Sequence, residues 1–91
     1  THLIERPDGS LLCRGIAETR KVFGKLGLVD VETSSQTLSG FLTEQLGRVP
    51  AAGETIDFRG FRFEITKANN RRVERVRVAG LGAEPPTPAA T

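Results

Sequence analysis

The chain has no methionine, tryptophan or tyrosine, one cysteine and one histidine. Each absence removes a class of chemistry. Cys13 has no second thiol to pair with, and a small secreted domain ordinarily carries several, so a reducing, cytosolic setting is expected. One histidine and one cysteine cannot assemble the usual four-ligand zinc site from nitrogen and sulfur donors, so no metal residues are expected. A Ser-His-Asp triad would have to use His2, beside a chain end expected to fray. Cys13 itself stands in the apolar run Leu11-Leu12-Cys13 and reads as a small buried hydrophobe, not a nucleophile. Apolar runs are only a few residues long, against the roughly 20 that a membrane span needs, so no membrane insertion is expected. No charged and then apolar leader opens the sequence, so no secretory signal is expected either. With no methionine even at position 1, the chain is expected to be a piece of something longer, a processed fragment or a cloned domain.

What is present fits one small globular domain: 91 residues, 37% hydrophobic and 26% charged. A domain of this size buries only about 60–65% of its unfolded surface, so stability is expected to be modest. The net charge of +2 is unevenly spread. Residues 1–58 hold six basic and eight acidic side chains. Residues 59–77 hold Arg59, Arg62, Lys67, Arg71, Arg72, Arg75 and Arg77 against only Glu64 and Glu74. A basic segment therefore follows a slightly acidic body.

Turn chemistry and periodicity order the chain. Leu3-Ile4-Glu5-Arg6 runs into the turn tripeptide Pro7-Asp8-Gly9, and Leu11-Leu12-Cys13-Arg14 returns until Gly15, predicting a hairpin. From Ile16 the period becomes helical, with Arg20 and Phe23 following, and Gly24 and Gly27 predict a stop near 23–25. A polar connection over 28–36 leads to a second helix. Leu38, Phe41, Leu42 and Leu46 form its apolar stripe, with Ser34, Ser35 or Thr37 as N-cap and Gly47 as stop. Thr55–Phe58 and Phe61–Ile65 alternate with period two. A two-residue loop at Arg59-Gly60 sets Phe58 opposite Phe61, Ile56 opposite Phe63 and Asp57 opposite Arg62. A second two-residue turn at Asn69-Asn70 predicts Phe61 opposite Val78, Phe63 opposite Val76 and Glu64 opposite Arg75, with a bulge near Glu74–Arg75. The expected core is Phe23, Leu38, Phe41, Leu42, Leu46, Ile56, Phe58, Phe61, Phe63, Ile65, Val76 and Val78. Two strands, two helices and three strands predict an α+β fold: a small antiparallel sheet with two helices packed on one side. The domain is expected to span 1–78, with a flexible Pro/Ala-rich tail at 79–91.

Catalytic motifs are missing. Neither G-x-G-x-x-G nor G-x-x-x-x-G-K-[ST] occurs, so no phosphate loop is expected. Glu18, Glu44 and Glu54 stand singly, while Asp57 and Glu64 have cross-strand basic partners. All five phenylalanines fit core positions, leaving no exposed aromatics to stack on bases, which disfavours nucleic acid as a partner.

The stretch LGRVPAAGETIDFRGFRFEITKANNRRVERVRV resembles the signature of the CorC/HlyC family, the transporter-associated domain. Gly47, Arg48, Pro50, Gly53, Glu54, Gly60, Phe63, Glu64, Arg72, Val76 and Val78 fall on its pattern, and the upstream residues extend the resemblance over about 5–78. Arg59 and Asn69-Asn70 depart from it, at turns only. The resemblance implies a fold similar to part of FAD-binding oxidase domains. It also implies a cytoplasmic, C-terminal module following a membrane domain and a CBS pair in hemolysin-like magnesium and cobalt efflux proteins of the inner or plasma membrane. The family is also found appended to some cation antiporters. No catalytic residues carry over from it. A non-enzymatic regulatory or interaction role without a cofactor is therefore expected. The alternative is a module that binds an adenine nucleotide or flavin through Arg71, Arg72 and Arg75. The expected partners are the other domains of the parent protein or a second copy, meeting the exposed sheet face around Arg62, Arg75 and Arg77.

Overall fold

A computed structural model describes residues 2–80. The turn after Glu5 closes the first hairpin, β1 (Leu3–Glu5) and β2 (Leu11–Arg14). The amide of Gly9 donates to the Arg6 carbonyl at 3.0 Å, and Asp8 Oδ1 accepts from the Ser10 amide at 2.9 Å and its hydroxyl at 2.6 Å. Two helices follow, α1 (Thr19–Lys25) and α2 (Leu38–Leu46). Three strands follow: β3 (Thr55–Phe58), β4 (Phe61–Ala68) and β5 (Val73–Gly80). The strands form one antiparallel sheet in the order β1-β2-β5-β4-β3. β5 takes in Ala79 and Gly80, and the rest of the expected tail lies outside the described residues.

Alternation sends one face of the sheet toward the helices. Leu11, Cys13, Ile56, Phe63, Ile65, Val73, Val76 and Val78 meet Val22 and Phe23 of α1 and Leu38, Phe41 and Leu42 of α2 in a single core. Phe23, Phe41 and Phe58 pack ring against ring, with centroids 5.0–6.1 Å apart. The N-cap of α2 is Thr37, whose Oγ1 accepts from the Gly40 amide at 3.2 Å; Gly47 closes the helix in the left-handed conformation.

Several expectations need correction. α1 starts at Thr19, not Ile16, because Gly15 and Ile16 are used in a turn that leaves Ile16 46% exposed. Leu46 is 36% exposed and lies outside the buried core that holds Leu38, Phe41 and Leu42. Phe58 and Phe61 are half-buried and pack on the margin of the core. The β3–β4 register is as expected, with Phe58 opposite Phe61, Ile56 opposite Phe63 and Asp57 opposite Arg62. Arg59 and Gly60 both take positive φ, 52° and 85°, the backbone of a two-residue hairpin turn that suits the sheet's twist. The β4–β5 register lies two residues from the expected one: Phe61 opposes Gly80, Phe63 opposes Val78 and Glu64 opposes Arg77. The turn has four residues, 69–72, not two. Asn69 Oδ1 accepts from the amides of Arg71 and Arg72 at 2.8 and 3.0 Å, and the Asn69 amide donates to the Arg72 carbonyl at 3.0 Å. A shift of two keeps every side chain on its own face. The register then steps between Ile65 and Lys67 and between Lys67 and Ala68, in the stretch facing the expected bulge. This irregularity puts the fully buried Val73 in phase with Val76 and Val78.

Candidate functional site

The sheet face away from the helices is laced by ion pairs. Arg62 holds Asp57 through Nε at 2.9 Å, and Arg77 lies 3.4 Å from Asp8 and 3.7 Å from Glu64. Glu64 therefore pairs with Arg77 and not with Arg75, as the shifted register requires. The surface expected around Arg62, Arg75 and Arg77 keeps one arginine, Arg75, with no ion pair or side-chain hydrogen bond among the described residues.

Arg75 is also the arginine that stands apart from the other two candidates. Arg71 and Arg72 leave the Asn69-stitched turn and line a groove of about 370 Å³ at the end of the sheet. Arg75 lines a separate, more apolar hollow of about 460 Å³ with Ile4, Leu12 and Thr66. The structure thus brings Arg71 and Arg72 together and leaves Arg75 outside their groove. In its place comes Arg14, the last residue of β2, which lines both hollows. Sequence reasoning missed Arg14 because only the pairing of β2 with β5 carries it there. Arg14, Arg71 and Arg72 are exposed and, like Arg75, make no ion pair among the described residues.

A second clasp lies in the Leu-Gly-Arg-Val-Pro stretch. Arg48 grips Glu54 with both terminal nitrogens, at 2.8 and 2.6 Å, and the Ala51 amide donates to Glu54 Oε2 at 2.7 Å. These bonds, the arginine's first, hold the Glu54 carboxyl down at about 2, from an ordinary 4.5. Asp8 is likewise held down at about 2 by the Ser10 hydroxyl and amide, with a smaller contribution from Arg77. Both carboxylates keep their charge more readily in the folded chain than in the unfolded one. Their contribution is complete above about 4.5 and 3.8 respectively and is lost as the pH falls toward 2. The melting temperature is expected to fall across that window, and Glu54→Gln to flatten part of the fall. A Glu54→Gln curve parallel to the wild type's would mean the clasp adds nothing.

Burial, by contrast, pushes the Cys13 thiol up to about 12, consistent with a core role. Among the described residues no group of three or more His, Cys, Asp and Glu is placed to hold a metal ion. No helix among them is long and apolar enough to cross a membrane.

The fold and its surface define a small α+β module, with helices on one side of an antiparallel sheet and paired charges on the other. The chain belongs to the transporter associated domain family, CorC_HlyC, whose model matches residues 4–81. It is similar to the transporter associated domain from Nitrosomonas europaea, with a TM-score of 0.80 and 35% identity over 88% of this chain and 96% of that one. It is also similar to the corresponding domain of a Xylella fastidiosa hemolysin, described in complex with Mg++ and Mn++, with a TM-score of 0.77 and 30% identity over 89% and 99% of the two chains. Among curated relatives, the magnesium and cobalt efflux protein CorC of Salmonella typhimurium is 40% identical over 42 residues, 46% of this chain. The chain spans 14% of that relative's length. The Synechocystis protein sll0260 is 33% identical across 87% of this chain, which spans 18% of it.

Proposed function

We propose that the chain is a non-catalytic regulatory or interaction module of a hemolysin-like membrane protein and modulates that protein's transport of magnesium or cobalt. The observation that carries this reading is the family match across residues 4–81, in company with a relative named for magnesium and cobalt efflux. The small share of that relative covered by this chain supports a module working within a larger protein. Its partners are then the neighbouring CBS pair and membrane domain of the parent, or a second copy of the module, on the cytoplasmic side. Deleting the segment from its parent and measuring cellular tolerance of magnesium and cobalt tests the reading. Altered tolerance is expected; unchanged transport with unchanged regulation would defeat it.

The alternative, an adenine nucleotide or flavin held by Arg71, Arg72 and Arg75 together, has weaker geometric support because Arg75 lines a different hollow. A melting titration with FAD or ATP, set beside one with inorganic phosphate, tests it: stabilisation beyond that given by phosphate supports this reading, since a ligand at 100 times its Kd adds about 2.7 kcal/mol.

A further inference from the structure

Like charges set directly opposite each other in a sheet are destabilising, yet the register here lines up three cations. Arg14 of β2 faces Arg75 of β5, which on its other side faces Lys67 of β4. Among the described residues only Lys67 of the three has an acid at hand, Glu74, 3.8 Å away. Around the corner, Arg71 and Arg72 share a groove with Arg14. The turn that carries them is pinned by three hydrogen bonds from backbone amides, those of Arg71 and Arg72 to Asn69 Oδ1 and that of Asn69 to the Arg72 carbonyl. The Gly15 amide donates to the Glu74 carbonyl at 2.8 Å, holding the end of β2, and with it Arg14, against this turn. Among the described residues, the one carboxylate lining the groove is Glu74, which is already engaged by Asn69 Nδ2 at 3.0 Å and by Lys67. An adjoining hollow also lined by Arg71 and Arg72 includes Glu44, whose oxygens accept from the Thr33 and Ser34 hydroxyls.

We propose that the groove bounded by Arg14, Arg71 and Arg72 is a binding site for a phosphate group, with Arg75 and Lys67 adding to its field from the adjoining sheet face. Guanidinium groups present paired N–H donors that match phosphate oxygens, and a doubly charged anion relieves the repulsion that the register imposes. The site does not depend on the transport reading, and binding to the chain tests it without a transport measurement. The phosphate can come from a small ester in solution or from an anionic lipid headgroup, and two probes tell them apart.

Inorganic phosphate is titrated into the chain at low ionic strength while backbone amide shifts are followed. Vesicles of phosphatidylcholine, with and without phosphatidic acid, are assayed by co-sedimentation. Saturable shifts at Gly15, Ile16, Arg71 and Arg72 without vesicle binding point to a soluble ester; binding only to phosphatidic acid vesicles points to a lipid. In either case Arg71→Gln with Arg72→Gln, and separately Arg14→Gln, are expected to weaken binding about tenfold or more. Lys21→Gln, on α1, removes one charge as Arg14→Gln does and should leave binding unchanged. All four positions are exposed, and melting curves check that the variants stay folded. Binding to neither probe, or equal weakening by Lys21→Gln, overturns the proposal.

Discussion

Replacing Phe63 by alanine is expected to lower the stability of the domain by about 3–5 kcal/mol, the range for deleting a large aromatic from a packed core. Phe63 is fully buried, sits between Ile56 and Val78 on neighbouring strands, and has the Phe41 ring 6.4 Å away across the helix–sheet interface. Small domains have only about 5–15 kcal/mol in total, so this loss removes a large share of it. For a domain of this length the melting temperature should drop by about 15 °C or more. A cooperative melt near the wild-type temperature would mean that the sheet turns its other face to the helices.

An expected loss of about 3 kcal/mol at Gly15 has a different origin. A Cβ added there would lie 1.8 Å from the Val73 carbonyl oxygen and 2.8 Å from its carbon. Those are backbone atoms and have no rotamer to escape into. Gly15 also ties three elements together. Its amide donates to Glu74 and its carbonyl accepts from the Ser39 amide, while the buried Ser39 hydroxyl accepts from the Val73 amide at 2.9 Å. Gly15→Ala must therefore part β2 from β5 and loosen the start of α2, which goes beyond ordinary overpacking. Urea denaturation of Gly15→Ala beside Gly24→Ala isolates the effect. Gly24 lies within α1 with open space where a Cβ would go, so alanine there should stabilise by about 0.5–1 kcal/mol. Similar midpoints for the two variants would refute the close-approach account.

How far the sequence was legible depends on the length of chain over which each feature is decided. The β3–β4 pairing could be read residue by residue, because a two-residue turn leaves a single register compatible with the apolar alternation. The β4–β5 pairing could not. Its turn is built from side-chain bonds of Asn69, and its true length shows only once those bonds are counted. Since the error was two residues, the buried face was still right while the charge partners were wrong: Glu64 meets Arg77 instead of Arg75. Leu46 looked like core by spacing alone, because periodicity marks the apolar face of a helix and not how far along that face the burial extends. The basic groove was half visible. Arg71 and Arg72 are neighbours in sequence, but Arg14 joins them only through a pairing between β2 and the last strand, for which no local signal exists.

That pairing also has a consequence for how the domain is made. Of the described strands, the one latest in the sequence, β5, is the middle of the sheet. During synthesis the first hairpin and both helices emerge well before the strand that joins them to the second hairpin. Until Val73–Gly80 has cleared the ribosome, β2 and β4 each keep an edge without its native neighbour, the kind of surface that recruits other strands. Closing the sheet then depends on contacts between distant parts of the chain, which slows folding compared with local pairing. A stop or a cut before Val73 is therefore expected to yield two disconnected hairpins and not a slightly smaller domain. The nascent chain has no halfway product worth keeping.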